Sequence, residues 1–144
     1  MTENDTVKML KECDAGIKMG VSALNDVIDK VQNENFKALL TDSKNEHEKL
    51  HSKVKTLLLA LNAEGKNPNA VAVGMKRIKT EMVTAFDKTD NEIASIITDG
   101  LNMGVKSLHR YLNQYKSAGE DIKDIAKKLI NIEERLAIDI RVYL

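Results

Sequence analysis

Apolar residues return every three or four positions in four long stretches, the period of a helix with one buried face. The first seam reads Val7, Leu10, Asp14, Ile17, Val21, Leu24, Ile28, Val31 and predicts a helix from Asn4 or Asp5, either able to cap it, to about residue 32. Asn33-Glu34-Asn35 is a short polar turn, with Asn33 as the next cap. The second seam, Phe36, Leu40, Ser43, His47, Leu50, Val54, Leu57, Leu61, predicts a helix over 34–63 that Gly65 and Pro68 terminate, Gly65 as a left-handed cap. A shorter pattern over 69–86 reads as a crossover with its own helix, kinked or closely packed at Gly74. Thr89 followed by Glu92 has the capping-box form and opens a third helix over 90–116, with seam Ala94, Thr98, Leu101, Val105, Leu108, Leu112, Tyr115. Ser117 followed by Glu120 is a second box, opening a fourth helix through Ile122, Ala126, Leu129, Glu133, Leu136, Ile140 and Tyr143 to a docked C-terminus.

The pattern is also a duplication. Gly16-Ile17-Lys18-Met19-Gly20-Val21-Ser22-Ala23-Leu24 returns 84 residues later as Gly100-Leu101-Asn102-Met103-Gly104-Val105-Lys106-Ser107-Leu108, identical at five of nine positions. In the second helices an offset of 86 places Phe36 on Ile122, Leu50 on Leu136 and His47 on Glu133. Glycine inside a helix costs about 1 kcal/mol relative to alanine, so its use at the same place in both halves predicts a close neighbour there. Counting heights across each hairpin sets His47 opposite Gly20 and Glu133 opposite Gly104. The expected architecture is one all-α domain over residues 1–144: two duplicated helical hairpins forming an antiparallel four-helix bundle, with a long helix-containing crossover between helices 2 and 3.

Composition narrows the function classes. Twenty-two basic and 22 acidic residues leave no net charge, without the basic excess that displaces counterions from nucleic acid, and with no Trp, two Phe and three Tyr there is little to stack on bases. The longest apolar run, 57–61, is far short of a membrane span. A single cysteine, Cys13, and an acidic, polar N-terminus in place of a signal peptide point to the cytoplasm, with Cys13 as a small interior side chain. No nucleophile–base motif, phosphate loop or dinucleotide fingerprint is found, which points away from an enzyme. Lys76-Arg77-Ile78-Lys79 reads as a solvated basic face, and His109 as exposed.

Two duplicated hairpins joined by a long crossover, with Asp14-x-Gly16 and Asp99-Gly100 openings, the Gly65…Pro68 turn and the ending from Glu120 to Leu144, resemble the ferritin-like four-helix bundle superfamily. The chain looks like a bacterial branch of it, a domain of unknown function with a degenerate metal site. Di-iron members draw a carboxylate from helices 1 and 3 and a Glu-x-x-His pair from helices 2 and 4. Here one pair is present, Glu48-Lys49-Leu50-His51; its counterpart, Glu134-Arg135-Leu136-Ala137, has Ala where the His belongs. The register turns Glu48 outward and sets His51 on a flank.

Five polar residues interrupt the seams: Asp14, Ser43, His47, Thr98 and Glu133. His47 and Glu133 read as a buried hydrogen-bonded pair meeting across the bundle axis, as two partly solvated flank residues, or as half of a metal site; Asp14 sits about two turns away, with Lys18 or Lys53 as its partner. The expected function is a non-catalytic binding or structural module without cofactor, paired as a homodimer through helix faces. The alternative is a metal-binding protein with an incomplete ferritin-like site, its candidate ligands for Fe or Zn being His47, Glu133, Glu48 and His51.

Overall fold

A computed structural model describes residues 4–65 and 88–144, and among these are four helices: α1 (Asp5–Ile28), α2 (Glu34–Ala60), α3 (Asp90–Gln114) and α4 (Glu120–Asp139), the last followed by a 3-10 turn (Ile140–Tyr143). No strand occurs among the described residues. The expected crossover helix over 69–86, with Gly74, Pro68 and the Lys76–Lys79 patch, lies outside them.

The helix starts follow their side chains. Asn4 Oδ1 accepts the Val7 N–H at 2.9 Å, Asn33 Oδ1 accepts that of Phe36 at 2.9 Å, and Thr89 Oγ1 that of Glu92 at 3.2 Å, each satisfying a donor that the first turn leaves open. Two expected boundaries are corrected. The second helix stops at Asn62, not Gly65: Asn62 takes φ 53°, its N–H bonds to Leu59 O, and the Ala63 N–H reaches back to Leu58 O. That is the two-bond Schellman closure, and asparagine tolerates the left-handed conformation it needs. Gly65 does something else, because a Cβ there would lie 2.5 Å from Asp14 Oδ2; its bare backbone lies over that carboxylate. At α4, Ser117 is no cap. Helix α4 begins after Gly119, which gives no side-chain cap.

The α3–α4 turn is instead capped from the other half of the chain. Asp5 Oδ2 accepts the Ser117 N–H at 3.1 Å and Thr6 Oγ1 that of Gly119 at 2.8 Å. The reverse holds at the opposite end, where Asp90 accepts the N–H groups of Gln32 and Asn33, both at 2.9 Å. Asp5 and Asp90 each open the first helix of a half, so the start of each half holds the hairpin turn of the other. Along the first hairpin, Asp14 meets His51 and Gly20 meets His47, so numbers rise on α1 as they fall on α2.

The α4 seam is buried from Ile122 to Ile140, while in α1 and α3 the seam residues Val7, Val21, Ile28, Val105, Leu112 and Tyr115 are half-buried. In α2 the first six expected positions, from Phe36 to Val54, are buried; the seventh falls on Leu58, leaving Leu57 half-buried and Leu61 exposed. A 3.5-residue count drifts against a 3.6-residue helix, and after six steps the drift is about 0.6 of a residue, which brings the next position closer to the buried face. The core falls into two apolar clusters. One gathers Leu24, Val27, Phe36, Leu40, Ile93, Ile97, Leu101, Leu136 and Ile140; the other Met9, Leu10, Cys13, Ile17, Leu50, Val54, Leu108, Ile122 and Leu129. Each such side chain contributes about 1.5–3 kcal/mol on leaving water. At the end of the chain Tyr143 stacks on Phe36 with ring centroids 4.5 Å apart, while Val142 and Leu144 are exposed.

Candidate functional site

Every helix changes character where the two clusters meet. Between Ile17 and Leu24 α1 has Gly20; between Leu40 and Leu50 α2 has Ser43 and His47; between Leu101 and Leu108 α3 has Gly104; between Ile130 and Leu136 α4 has Glu133. A polar layer therefore cuts the core at its middle. Ser43, His47 and Glu133 are buried in it; with Asp14 they make up the buried polar residues of the described core, while Thr98, the fifth expected, is half-buried and bonds back to Ala94 O at 2.8 Å.

The glycines are what make this layer possible. A Cβ on Gly20 would stand 3.0 Å from His47 Nε2 and 3.1 Å from Cδ2; one on Gly104 would stand 2.8 Å from Glu133 Oε2 and 3.1 Å from Oε1. Gly20 and Gly104 are thus each the floor under one polar side chain, as the height count predicts. Gly16 is different: a Cβ there would meet Leu129 Cδ2 at 3.7 Å, an ordinary contact.

His47 Nδ1 donates to Ser43 O at 2.7 Å, which leaves Nε2 as the lone-pair end of the ring, turned to Gly20. Burial lowers its pKa below the usual 6.5, against smaller upward pulls from the Ser43 carbonyl and Glu46, so the ring is neutral at physiological pH. Burial pushes Glu133 the other way, up from 4.5 to about 8, so that it carries its proton at pH 7. Glu133 Oε2 and Ser43 Oγ are buried with no hydrogen-bond partner among the described residues. No hydrogen bond or ion pair joins His47 to Glu133 among the described residues; the expected direct pair is replaced by two separate seats on two glycines.

The other two candidate ligands lie elsewhere. Glu48 is half-exposed and at most loosely paired to Lys44, 4.0 Å away. His51 is drawn in toward α1, where its Nε2 lies 2.9 Å from Asp14 Oδ1; Lys18 Nζ lies 2.7 Å from Oδ2. Burial alone would raise the Asp14 pKa, but the hydrogen bonds and charges of Lys18 and His51 together outweigh it and hold the carboxyl below 3.8. Lys18 is thus the expected partner. His51 is the one that sequence reasoning missed: the height count brings it, one turn beyond His47 on α2, to the level of Asp14, but does not turn its side chain inward. Lys18 and His51 edge an open groove of about 670 Å³ between α1 and α2, also lined by Ser22, Asp26 and Glu48.

Cys13 is fully buried, and burial together with the nearby Glu12, Glu133 and Asp14 charges raises its thiol to about 12, the state of an inert core residue.

The di-iron pattern asks for inward carboxylates on the first and third helices. At the height of His47 and Glu133 those helices present Gly20 and Gly104, and the residues present do not fit a bridged pair of irons. Among the described residues no group of three or more His, Cys, Asp or Glu side chains converges on one point. No family model, no curated protein and no solved structure matches this chain. No helix of the described residues is long and apolar enough to cross a membrane.

Proposed function

We propose that this chain is a ferritin-like antiparallel bundle whose polar layer is structural, and that it acts as a non-catalytic binding or structural module in the cytoplasm. The carrying observation is the seating of His47 and Glu133. Their heteroatoms turn to the backbones of Gly20 and Gly104 rather than to a shared point. The topology is supported by the end contacts. The α1–α2 turn lies against the start of α3 and the α3–α4 turn against the start of α1. Helix α2 therefore ends, and α3 begins, at opposite ends of the bundle, as a ferritin-like crossover between them requires.

Binding is assigned to the outer grooves rather than to the layer. Pairing with a second copy through helix faces would cover exposed apolar side chains such as Ile138 and Val142. Metal analysis of protein purified without chelator, run beside light scattering at several concentrations, tests the reading. Substoichiometric metal with a concentration-dependent dimer is the expected result; one or more tightly held Fe or Zn ions per chain would replace it with the metal-binding alternative.

A further inference from the structure

On a chain of zero net charge, positive charge gathers at one groove. Between α2 and α4 runs a depression of about 310 Å³ whose floor is Leu50 and Ile132 and whose rim, among the described residues, carries Lys49, Lys53, Lys128 and Arg135 against a single carboxylate, Glu46. That carboxylate is taken, because Arg135 holds it in an ion pair across the groove.

The pairing also fixes the register. Phe36 stacks on Tyr143 and Glu46 meets Arg135, so numbers rise on α2 as they fall on α4. Seven residues further along α2 comes Lys53, and seven earlier on α4 comes Lys128. Both positions lie two turns, about 10 Å, from the ion pair and face each other across the groove. Lys49 stands one turn back on α2, level with Ile132. None of these three lysines makes an ion pair among the described residues. Like charges on the two walls of a groove repel, the more so at low ionic strength, and an anion placed between them relieves the repulsion.

We propose that this α2–α4 groove is a binding site for a small polyanion carrying two or more phosphoryl groups. Lys53, Lys128 and Lys49 supply converging ammonium donors, each with three N–H groups able to follow phosphoryl oxygens of varied direction. Arg135 closes the far end, and Leu50 and Ile132 accept an apolar part of the ligand. The volume is that of a small-molecule pocket. The Glu46–Arg135 pair sets a length limit, since its carboxylate repels an anion extended past it.

The test is an NMR titration of the full chain with inorganic pyrophosphate at low ionic strength, where exposed charges are least screened. The expected result is saturable binding of one pyrophosphate per chain, with shifts confined to Lys49, Lys53, Lys128 and their neighbours. The double variant Lys53→Gln/Lys128→Gln, at exposed positions that the fold does not need, weakens binding at least ~10-fold, whereas Lys8→Gln/Lys37→Gln, which removes the same charge elsewhere, leaves it unchanged. Absence of saturation up to about 10 mM pyrophosphate, or equal weakening in both double variants, overturns the proposal. Thermal midpoints give a second readout. Pyrophosphate raises that of the wild type and not that of Lys53→Gln/Lys128→Gln; the same rise in both would equally overturn it.

Discussion

Glu133→Gln isolates the central side chain of the polar layer, because it keeps shape and burial and removes the titration. In the folded chain the carboxyl ionises near 8, against 4.5 for the free group. Below pH 4.5 both states hold the proton and the group costs nothing. As pH rises beyond that, the unfolded chain releases its proton while the folded chain keeps it, so folded stability falls by about 1.4 kcal/mol per pH unit. The loss is complete once the pH passes about 8. The shift corresponds to roughly 3 kcal/mol at pH 7 and at most about 5 kcal/mol above pH 8, a large share of a domain's 5–15 kcal/mol.

Glutamine carries its own constant cost, since its amide is buried against Gly104, but that cost does not change with pH. The quantity to measure is therefore the slope of the difference. Urea unfolding of wild type and Glu133→Gln, followed by circular dichroism in EDTA at pH 5, 6, 7 and 8, should give a difference that moves steadily toward the variant with rising pH. The His47 ring, whose depressed pKa works against stability below 6.5, is common to both proteins and cancels. A difference constant across that range, or one moving toward the wild type, would mean that Glu133 is ionised and partnered, and the structural reading of the layer would fail.

The glycines give a graded series. Gly16→Ala should stabilise by up to ~1 kcal/mol, since its Cβ meets only Leu129 at an ordinary distance and the helix gains propensity. Gly20→Leu and Gly104→Leu should each lose ~1–3 kcal/mol by displacing His47 or Glu133, with denaturant midpoints as the check; a gain in both would show that the seats are loose. Asp14→Asn should destabilise by ~1–3 kcal/mol at pH 7, as Lys18 and His51 lose a buried acceptor charge. Because the Asp14 pKa is depressed, that difference should be present above pH 3.8 and shrink as the pH falls below it; a difference independent of pH would refute the charge assignment.

How much of this was legible in the sequence follows from what each feature depends on. Asp14, Ser43, His47 and Glu133 could be read as buried because each interrupts an apolar seam, a property of local periodicity alone. The facing of His47 with Gly20 and of Glu133 with Gly104 needed only a count across a short turn. The Asp14–His51 contact was not legible in the same way, since His51 lies one position off the seam and its reach depends on the rotation of α2 about its axis. Ser117 looked like a cap, and the acceptors that replace it, Asp5 and Thr6, are more than a hundred residues distant. Gly65 and Asn62 are both residues that accept a left-handed turn; Asn62 takes it, and Ala63 beyond it packs against the cluster that holds Leu50 and Val54.

Whether the polar layer is structure or metal chemistry is tested most directly by anaerobic Fe(II) titration followed by exposure to oxygen. Glycines stand where inward carboxylates would be needed, and the four candidate ligands divide between two internal seats, an outer face and a pair with Asp14. The predicted result is no stoichiometric uptake and no bridged-ferric absorption band. Two irons bound per chain, oxidised rapidly, and lost in His47→Ala or Glu133→Ala, would contradict it.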